Sequence, residues 1–319
     1  MKKLIYVVLI ILIILFCLDR LGGYLLLKIN DHVKVGNNVG GKLNFYLSHI
    51  DKTDILLMGD SRIEYGVIPD SLGENVFNIA HYGKMLDFNS CLLVLLKSKN
   101  KLPKKVILGV DPYQFLTSSD YPNFNSSATL RQYYDSIPLL KDYLFSTTND
   151  PYLELKWASL LYRYNSTVPT LLLNFYKTIR GDSIENKGFN YFEFKANDSL
   201  RVNFAVKEKT KRISNYSDTI TSSKVDILKK IILECKENKI DLVIIIPPNK
   251  YLVKDKYLVG VRFLKTLASD SQIPIIEFTY DEELMNINFW SDSEHLNIAG
   301  AKVFSSKIKQ ELVKINFFE

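Results

Sequence analysis

The chain has 319 residues, enough for a substantial core, and its apolar and charged shares of 47% and 24% are those of an ordinary globular protein. The formal charge of +6 is spread thinly, with no basic stripe interleaved with stacking aromatics, which argues against a nucleic-acid partner. Cys17, Cys91 and Cys235 lie far apart without metal-ligand spacing; they read as buried thiols and suggest neither a disulfide framework nor a zinc site.

After Met1-Lys2-Lys3 comes an unbroken apolar run over residues 4–18, roughly 22 Å as a helix and short of the ~30 Å hydrocarbon core. Asp19-Arg20 interrupts it, and residues 21–29 are again mostly apolar. A single helix over about 4–27 spans a bilayer if the adjacent charges sit near an interface or face a partner. A cleavable signal peptide is the rival, but no Ala-x-Ala site follows the run, and Phe16-Cys17 fits a lipoprotein signal poorly. The reading is an uncleaved signal anchor over 1–29. Lys2 and Lys3 then stay in the cytoplasm, and residues 30–319 lie outside it.

The rest of the chain alternates strands and helices. Strands are expected at 54–58, 76–80, 105–110, 240–246 and 274–278, and helices at 85–99, 224–238, 259–269 and 298–315. This order predicts an α/β domain with a doubly wound, flavodoxin-like parallel sheet of five strands, in which ligands bind beyond the carboxyl ends of the strands. Residues 112–223 break the pattern and form a helical insertion with pieces near 152–164 and 171–180. Its aromatics, among them Tyr133, Tyr134, Trp157, Tyr162 and Tyr164, either line a sugar cleft or pack the insertion. His32 and His49 are expected to face solvent.

Gly59-Asp60-Ser61 closes the first strand, and Asp292-Ser293-Glu294-His295 precedes the last helix. A serine hydroxyl is almost never ionised at neutral pH. As a nucleophile it needs an imidazole to take its proton and a carboxylate to hold that imidazole. In a loop, Asp292 can reach one ring nitrogen of His295 and leave the other facing Ser61, and a doubly wound sheet brings the two segments together. His81 follows the second strand at the same edge and is open between a site role and a partly buried turn histidine. Arg62 binds an anionic group or, as the plainer reading, pairs with Asp60 or Glu64. No Gly-rich phosphate loop or metal cluster is evident, so no cofactor and no metal is implied.

With Gly59-Asp60-Ser61, the turn from Asn78 to Gly83, and Asp292 with His295, the chain resembles the SGNH (GDSL-like) hydrolase superfamily over roughly residues 54–111 and 224–312. The resemblance implies Ser61 as nucleophile, His295 as base and Asp292 as orienting group. It also implies oxyanion donors at the Ser61 backbone N–H, at Gly83, and at an asparagine after the third strand. That asparagine is missing: the chain has Gly109-Val110-Asp111-Pro112. An ionised Asp111 cannot donate a hydrogen bond, and losing one such donor costs on the order of a hundred- to a thousandfold in rate. Either Gln114, Asn78, His81 or Arg62 substitutes, or turnover is slow or absent.

With its anchor the chain looks most like membrane-tethered members that act on bacterial envelope polymers, such as polysaccharide O-acetyltransferases and the D-alanyl transfer protein of teichoic acid modification. The expected function is serine-dependent acyl transfer or ester hydrolysis on an envelope polysaccharide or other acylated glycan. For transfer, a membrane acyltransferase partner would deliver the acyl group. The alternative is a catalytically inactive, membrane-tethered glycan-binding or assembly protein with the same fold.

Overall fold

The computed structural model describes residues 1–36, 40–51, 53–116, 126–146, 150–165, 167–191, 199–217, 219–250, 254–279 and 281–318. Residues 117–125, 147–149, 166, 192–198 and 218 of the expected insertion lie outside them. The strands are β1 (Ile55–Met58), β2 (Val76–Asn78), β3 (Lys105–Gly109), β4 (Asp241–Ile246) and β5 (Ile275–Glu277). The first six helices are α1 (Lys2–His32), α2 (Gly41–His49), α3 (Ser61–Gly66), α4 (Leu86–Ser98), α5 (Pro138–Ser146) and α6 (Leu153–Ala158). Then come α7 (Leu160–Arg163), α8 (Val168–Ile179), α9 (Ser199–Ser214), α10 (Ser222–Glu237), α11 (Lys254–Asp270) and α12 (Ile298–Lys314). The chain divides into two compact units, one of Met1–His49 with Ser127–Ile184 and one of Ile50–Ser126 with Glu185–Glu319.

The second unit is built on the five strands, all parallel, in the order β2-β1-β3-β4-β5. Alternate residues of a strand point to opposite faces. Ile55, Leu57, Ile107, Val243 and Ile245 share one core with Ile63 of α3, Trp290, and Phe304, Ile308 and Leu312 of α12. The intervening Leu56, Met58, Val106, Leu108 and Ile244 are equally buried, α4 packs against α10, and α10 meets β4. Burial of both sets of side chains explains why the strands read as continuous apolar runs rather than as an alternating pattern.

In the first unit α1 is longer than the expected 4–27, and it is long and apolar enough to cross a membrane. The side chains from Leu4 to Phe16 are exposed. Cys17, expected among the buried thiols, is exposed on this surface, whereas Cys91 and Cys235 are buried. The charged pair that interrupts the run is partnered within the chain. Asp19 accepts from the Ser159 hydroxyl and from the backbone N–H groups of Leu160 and Leu161, each at 3.1 Å, and so caps α7. Arg20 donates to the Ala158 carbonyl at 2.7 Å.

Gly23 permits the close approach of α1 and α7, since a Cβ there would lie 2.1 Å from Leu160 Cβ. Tyr134, Trp157 and Tyr164 are buried, with the Tyr134 and Trp157 rings 5.2 Å apart and Arg163 stacked over Tyr134 at 4.3 Å. These three aromatics pack their own unit rather than line a cleft. His32 and His49 are exposed.

Candidate active site

At the carboxyl end of β1 the chain turns at Gly59, whose φ of 145° disfavours a side chain. A Cβ there would meet Ile63 Cγ1 at 2.9 Å and the Gly109 carbonyl at 3.1 Å. Asp60 then caps α3, accepting from the Arg62 N–H at 2.9 Å, and Ser61 is the first helical residue. The N–H groups of Arg62, Ile63 and Glu64 are taken up by Asp60, whereas the Ser61 N–H, at the first helical position, has no intrahelical acceptor. Asn78, at the end of β2, donates its amide to the Ile63 and Val67 carbonyls at 2.9 and 3.0 Å, tying α3 to the sheet.

The loop carrying the other two residues is closed on itself. Trp290 bridges Leu296, the Ser291 N–H donates to the His295 carbonyl at 2.8 Å, and Asn297 caps α12 through the Gly300 N–H at 3.0 Å. Asp292 Oδ1 accepts from the N–H groups of Glu294 and His295 at 2.7 and 2.8 Å, which fixes the carboxylate. Its Oδ2 lies 2.8 Å from His295 Nδ1, and His295 Nε2 lies 2.8 Å from Ser61 Oγ.

A carboxylate only accepts, so Nδ1 carries a proton toward Asp292, and the lone pair of the neutral ring at Nε2 faces the serine hydroxyl. Burial opposes the charge on Asp292. The hydrogen bond and electrostatic attraction from His295 and the two backbone amides outweigh it and hold the carboxyl below its ordinary range. Ser61, His295 and Asp292, 234 and 231 positions apart in sequence from the serine, thus form one hydrogen-bonded relay.

Two tyrosines that sequence reasoning missed flank the relay. Tyr65 meets the His295 ring edge-on at 5.3 Å, and Tyr82 lies 6.2 Å from the same ring. Burial, with the nearby charges of Glu64 and Asp292 and the Tyr82 phenol, pushes the Tyr65 phenol far above its ordinary value, so it stays a neutral hydroxyl. Position in the chain was their only signal, Tyr65 one helical turn after Ser61 and Tyr82 beside Gly83.

The oxyanion candidates separate. Gly83 adopts a left-handed φ of 66°, with nothing within 4 Å of where a Cβ would be. His81 is buried, donates from Nδ1 to the Ile79 carbonyl at 2.6 Å, and packs on Phe88 at 5.1 Å between centroids, as a turn histidine does. The Asn78 amide is spent on backbone carbonyls.

Asp111 accepts from the Tyr113 N–H at 3.0 Å and lies 3.0 Å from Arg62, whose same guanidinium nitrogen is 2.8 Å from Asp60. Arg62 therefore joins the ends of β1 and β3 through two carboxylates and offsets the Asp111 charge. Among the described residues no group of three His, Cys, Asp or Glu side chains is arranged to hold a metal ion. No family model matches the chain and no curated protein matches it significantly.

Proposed function

We propose that the chain is a membrane-anchored serine acyltransferase or esterase of the SGNH (GDSL-like) type, acting on acyl groups of a bacterial envelope glycan. The observation that carries this reading is the continuous relay from Asp292 through His295 to Ser61, with 2.8 Å at each step. The strand order 2-1-3-4-5 supports a doubly wound, flavodoxin-like sheet, whose ligands sit beyond the carboxyl ends of the strands. Ser61 follows such an end. The apolar α1 supports anchoring, and Lys2-Lys3 supports a cytoplasmic N-terminus with the remainder extracytoplasmic.

In this mechanism Ser61 Oγ attacks the acyl carbonyl while His295 Nε2 takes its proton. The resulting oxyanion is met by the Ser61 N–H and by Gly83. His295 returns the proton to the departing oxygen, the carbon–oxygen bond breaks, and the acyl group remains as an ester on Ser61. A sugar hydroxyl or water, deprotonated by the same ring, then takes the acyl group and restores the serine. For transfer, a membrane acyltransferase partner supplies the acyl group.

The second reading, a silent glycan-binding or assembly module, is favoured by one observation: Asp111 stands where a third donor would be and is committed to Arg62. Incubating the full-length protein with p-nitrophenyl acetate, with and without a soluble oligosaccharide acceptor, separates the two. An acetyl adduct on the peptide carrying Ser61, turned over faster with acceptor, supports transfer; an adduct turned over equally by water supports hydrolysis. No adduct supports the silent module.

A further inference from the structure

Apolar side chains scattered singly on a surface need no explanation, and Tyr82, 53% exposed, is distinguished by where it is held. It is the second residue of a tight turn that follows β2. The Lys84 N–H closes that turn on the His81 carbonyl at 3.2 Å, and the third residue, Gly83, takes a positive φ of 66° that a glycine adopts without strain. His81 anchors it. Its ring is buried against Phe88, and its backbone N–H donates to the Gly59 carbonyl at 3.4 Å, next to the turn that presents Ser61. The Tyr82 ring is thereby fixed beside the relay, 6.2 Å from the His295 imidazole at an interplanar angle of 38° and 6.4 Å from the Tyr65 ring.

The two halves of an ester meet different parts of such a site, and the proton decides which half meets Tyr82. On the acyl-transfer reading the carbonyl oxygen faces the Ser61 N–H and Gly83. The alcohol oxygen has to lie against His295 Nε2, because that nitrogen gives it a proton when it departs and takes one when it attacks. Groups that flank the imidazole therefore flank the alcohol. They are Tyr65, edge-on at 5.3 Å with a phenol that stays protonated, and Tyr82, whose ring face is open to solvent. An apolar ring face beside a neutral hydroxyl is the pairing that suits a sugar, whose C–H face stacks on the ring while its hydroxyls make hydrogen bonds.

We propose that Tyr82 is the platform for the sugar ring whose hydroxyl exchanges the acyl group at Ser61, and that it sets the preference for a glycan alcohol over water. This rests on the acyl-transfer reading. When the acyl group leaves Ser61, the sugar oxygen bonds to the acyl carbon and its proton passes to His295 Nε2; the bond from that carbon to Ser61 Oγ then breaks, and Oγ takes the proton back. Water does the same without touching Tyr82. A ring stacked there holds its hydroxyl close to Nε2, which raises the share of the acyl group that goes to sugar.

The test is how one acetyl-enzyme divides between acceptors. Full-length protein is acetylated with p-nitrophenyl acetate in the presence of cellotetraose, and acetylated cellotetraose and free acetate are both counted; glycerol, which has hydroxyls but no ring, is the second acceptor. Both products leave the same intermediate, so their ratio does not depend on how fast it forms. The wild type should acetylate cellotetraose in preference to glycerol at equal hydroxyl concentration. Tyr82→Ala and Tyr82→Leu should each lower the ratio of acetylated cellotetraose to acetate about tenfold, while Tyr82→Phe and Tyr82→Trp, which keep an aromatic face, should retain it. A Tyr82→Ala ratio equal to that of the wild type, whether or not both products form more slowly, overturns the platform, and the acetyl adduct on Ser61 then still supports acyl transfer. A wild type that acetylates glycerol as readily as cellotetraose, or acetylates neither, also overturns it, and a wild type without the adduct removes the acyl-transfer reading and the proposal together.

Discussion

Arg62 is the residue whose role departs most from its place in the sequence. It sits beside Ser61, and yet it links two carboxylates while only 6% exposed, with Asp60 and Asp111 at 19% and 14%. Removing the guanidinium leaves those carboxylates together without their cation, a change that costs about 3–5 kcal/mol. Arg62→Ala is therefore expected to lower stability in chemical denaturation by that order. A change below about 1 kcal/mol would mean that the trio is a surface pair of little weight.

Asp292 carries a pH signature. Its carboxyl titrates lower in the folded chain than in the unfolded one, so it contributes stability that is present above the ordinary value of 3.8 and lost as the pH falls through the lower folded value. The gap in melting temperature between the wild type and Asp292→Asn should be widest near neutrality and narrow below about pH 4. A gap unchanged over that range contradicts the depressed carboxyl. The serine, histidine and aspartate were legible in the sequence because acyl-transfer chemistry restricts residue type and order. The pairing of Arg62 with Asp60 was legible too, as neighbours in sequence, whereas its contact with Asp111 and the two flanking tyrosines were not, because neighbours made by folding leave no local pattern.

At the scale of elements, the strands were legible to within one or two residues. The sequence places them at 54–58, 76–80, 105–110, 240–246 and 274–278, and they occupy Ile55–Met58, Val76–Asn78, Lys105–Gly109, Asp241–Ile246 and Ile275–Glu277. Short β-branched and leucine-rich runs bounded by turn residues leave little alternative. Helices of the insertion were harder. The expected helix over 152–164 is two, α6 and α7, because Ser159 adopts an extended conformation and caps the second. The capping of α7 by Asp19, some 140 positions away, has no sequence signal at all.

The six-residue α3 was missed as a helix because it is too short for periodicity, although it is what presents Ser61. Gly59 sets its entry angle. Gly59→Ala adds a Cβ at a φ of 145° and 2.9 Å from Ile63. Both the melting temperature and the rate of acylation at Ser61 are expected to fall, and a variant with a lowered melting temperature but full reactivity would show that this turn does not position the serine.

The whole molecule joins one unit rich in helices and containing α1 to a second unit built on a parallel sheet, each made from separated parts of the chain. The neighbouring strands β3 and β4 are more than 130 residues apart in sequence, which the entropy of loop closure tolerates because it grows only logarithmically with length. Lys2-Lys3 ahead of the apolar helix predicts that everything beyond the span is outside the cytoplasm. Protease added to intact spheroplasts should degrade both units, and protection until the membrane is lysed would reverse the orientation.

The central claim is that Ser61 is activated by His295, and labelling of the full-length protein by a fluorophosphonate probe tests it most directly, since the probe reacts with an activated serine and spares ordinary ones. The wild type is expected to label, while Ser61→Ala and His295→Ala each abolish labelling with the fold retained, because neither removes much apolar volume. Asp292→Asn should label slowly, on the order of ten-thousandfold down, since it disturbs the tautomer and orientation of the ring rather than the nucleophile. Labelling that persists in Ser61→Ala, or a wild type that does not label at all, contradicts the account.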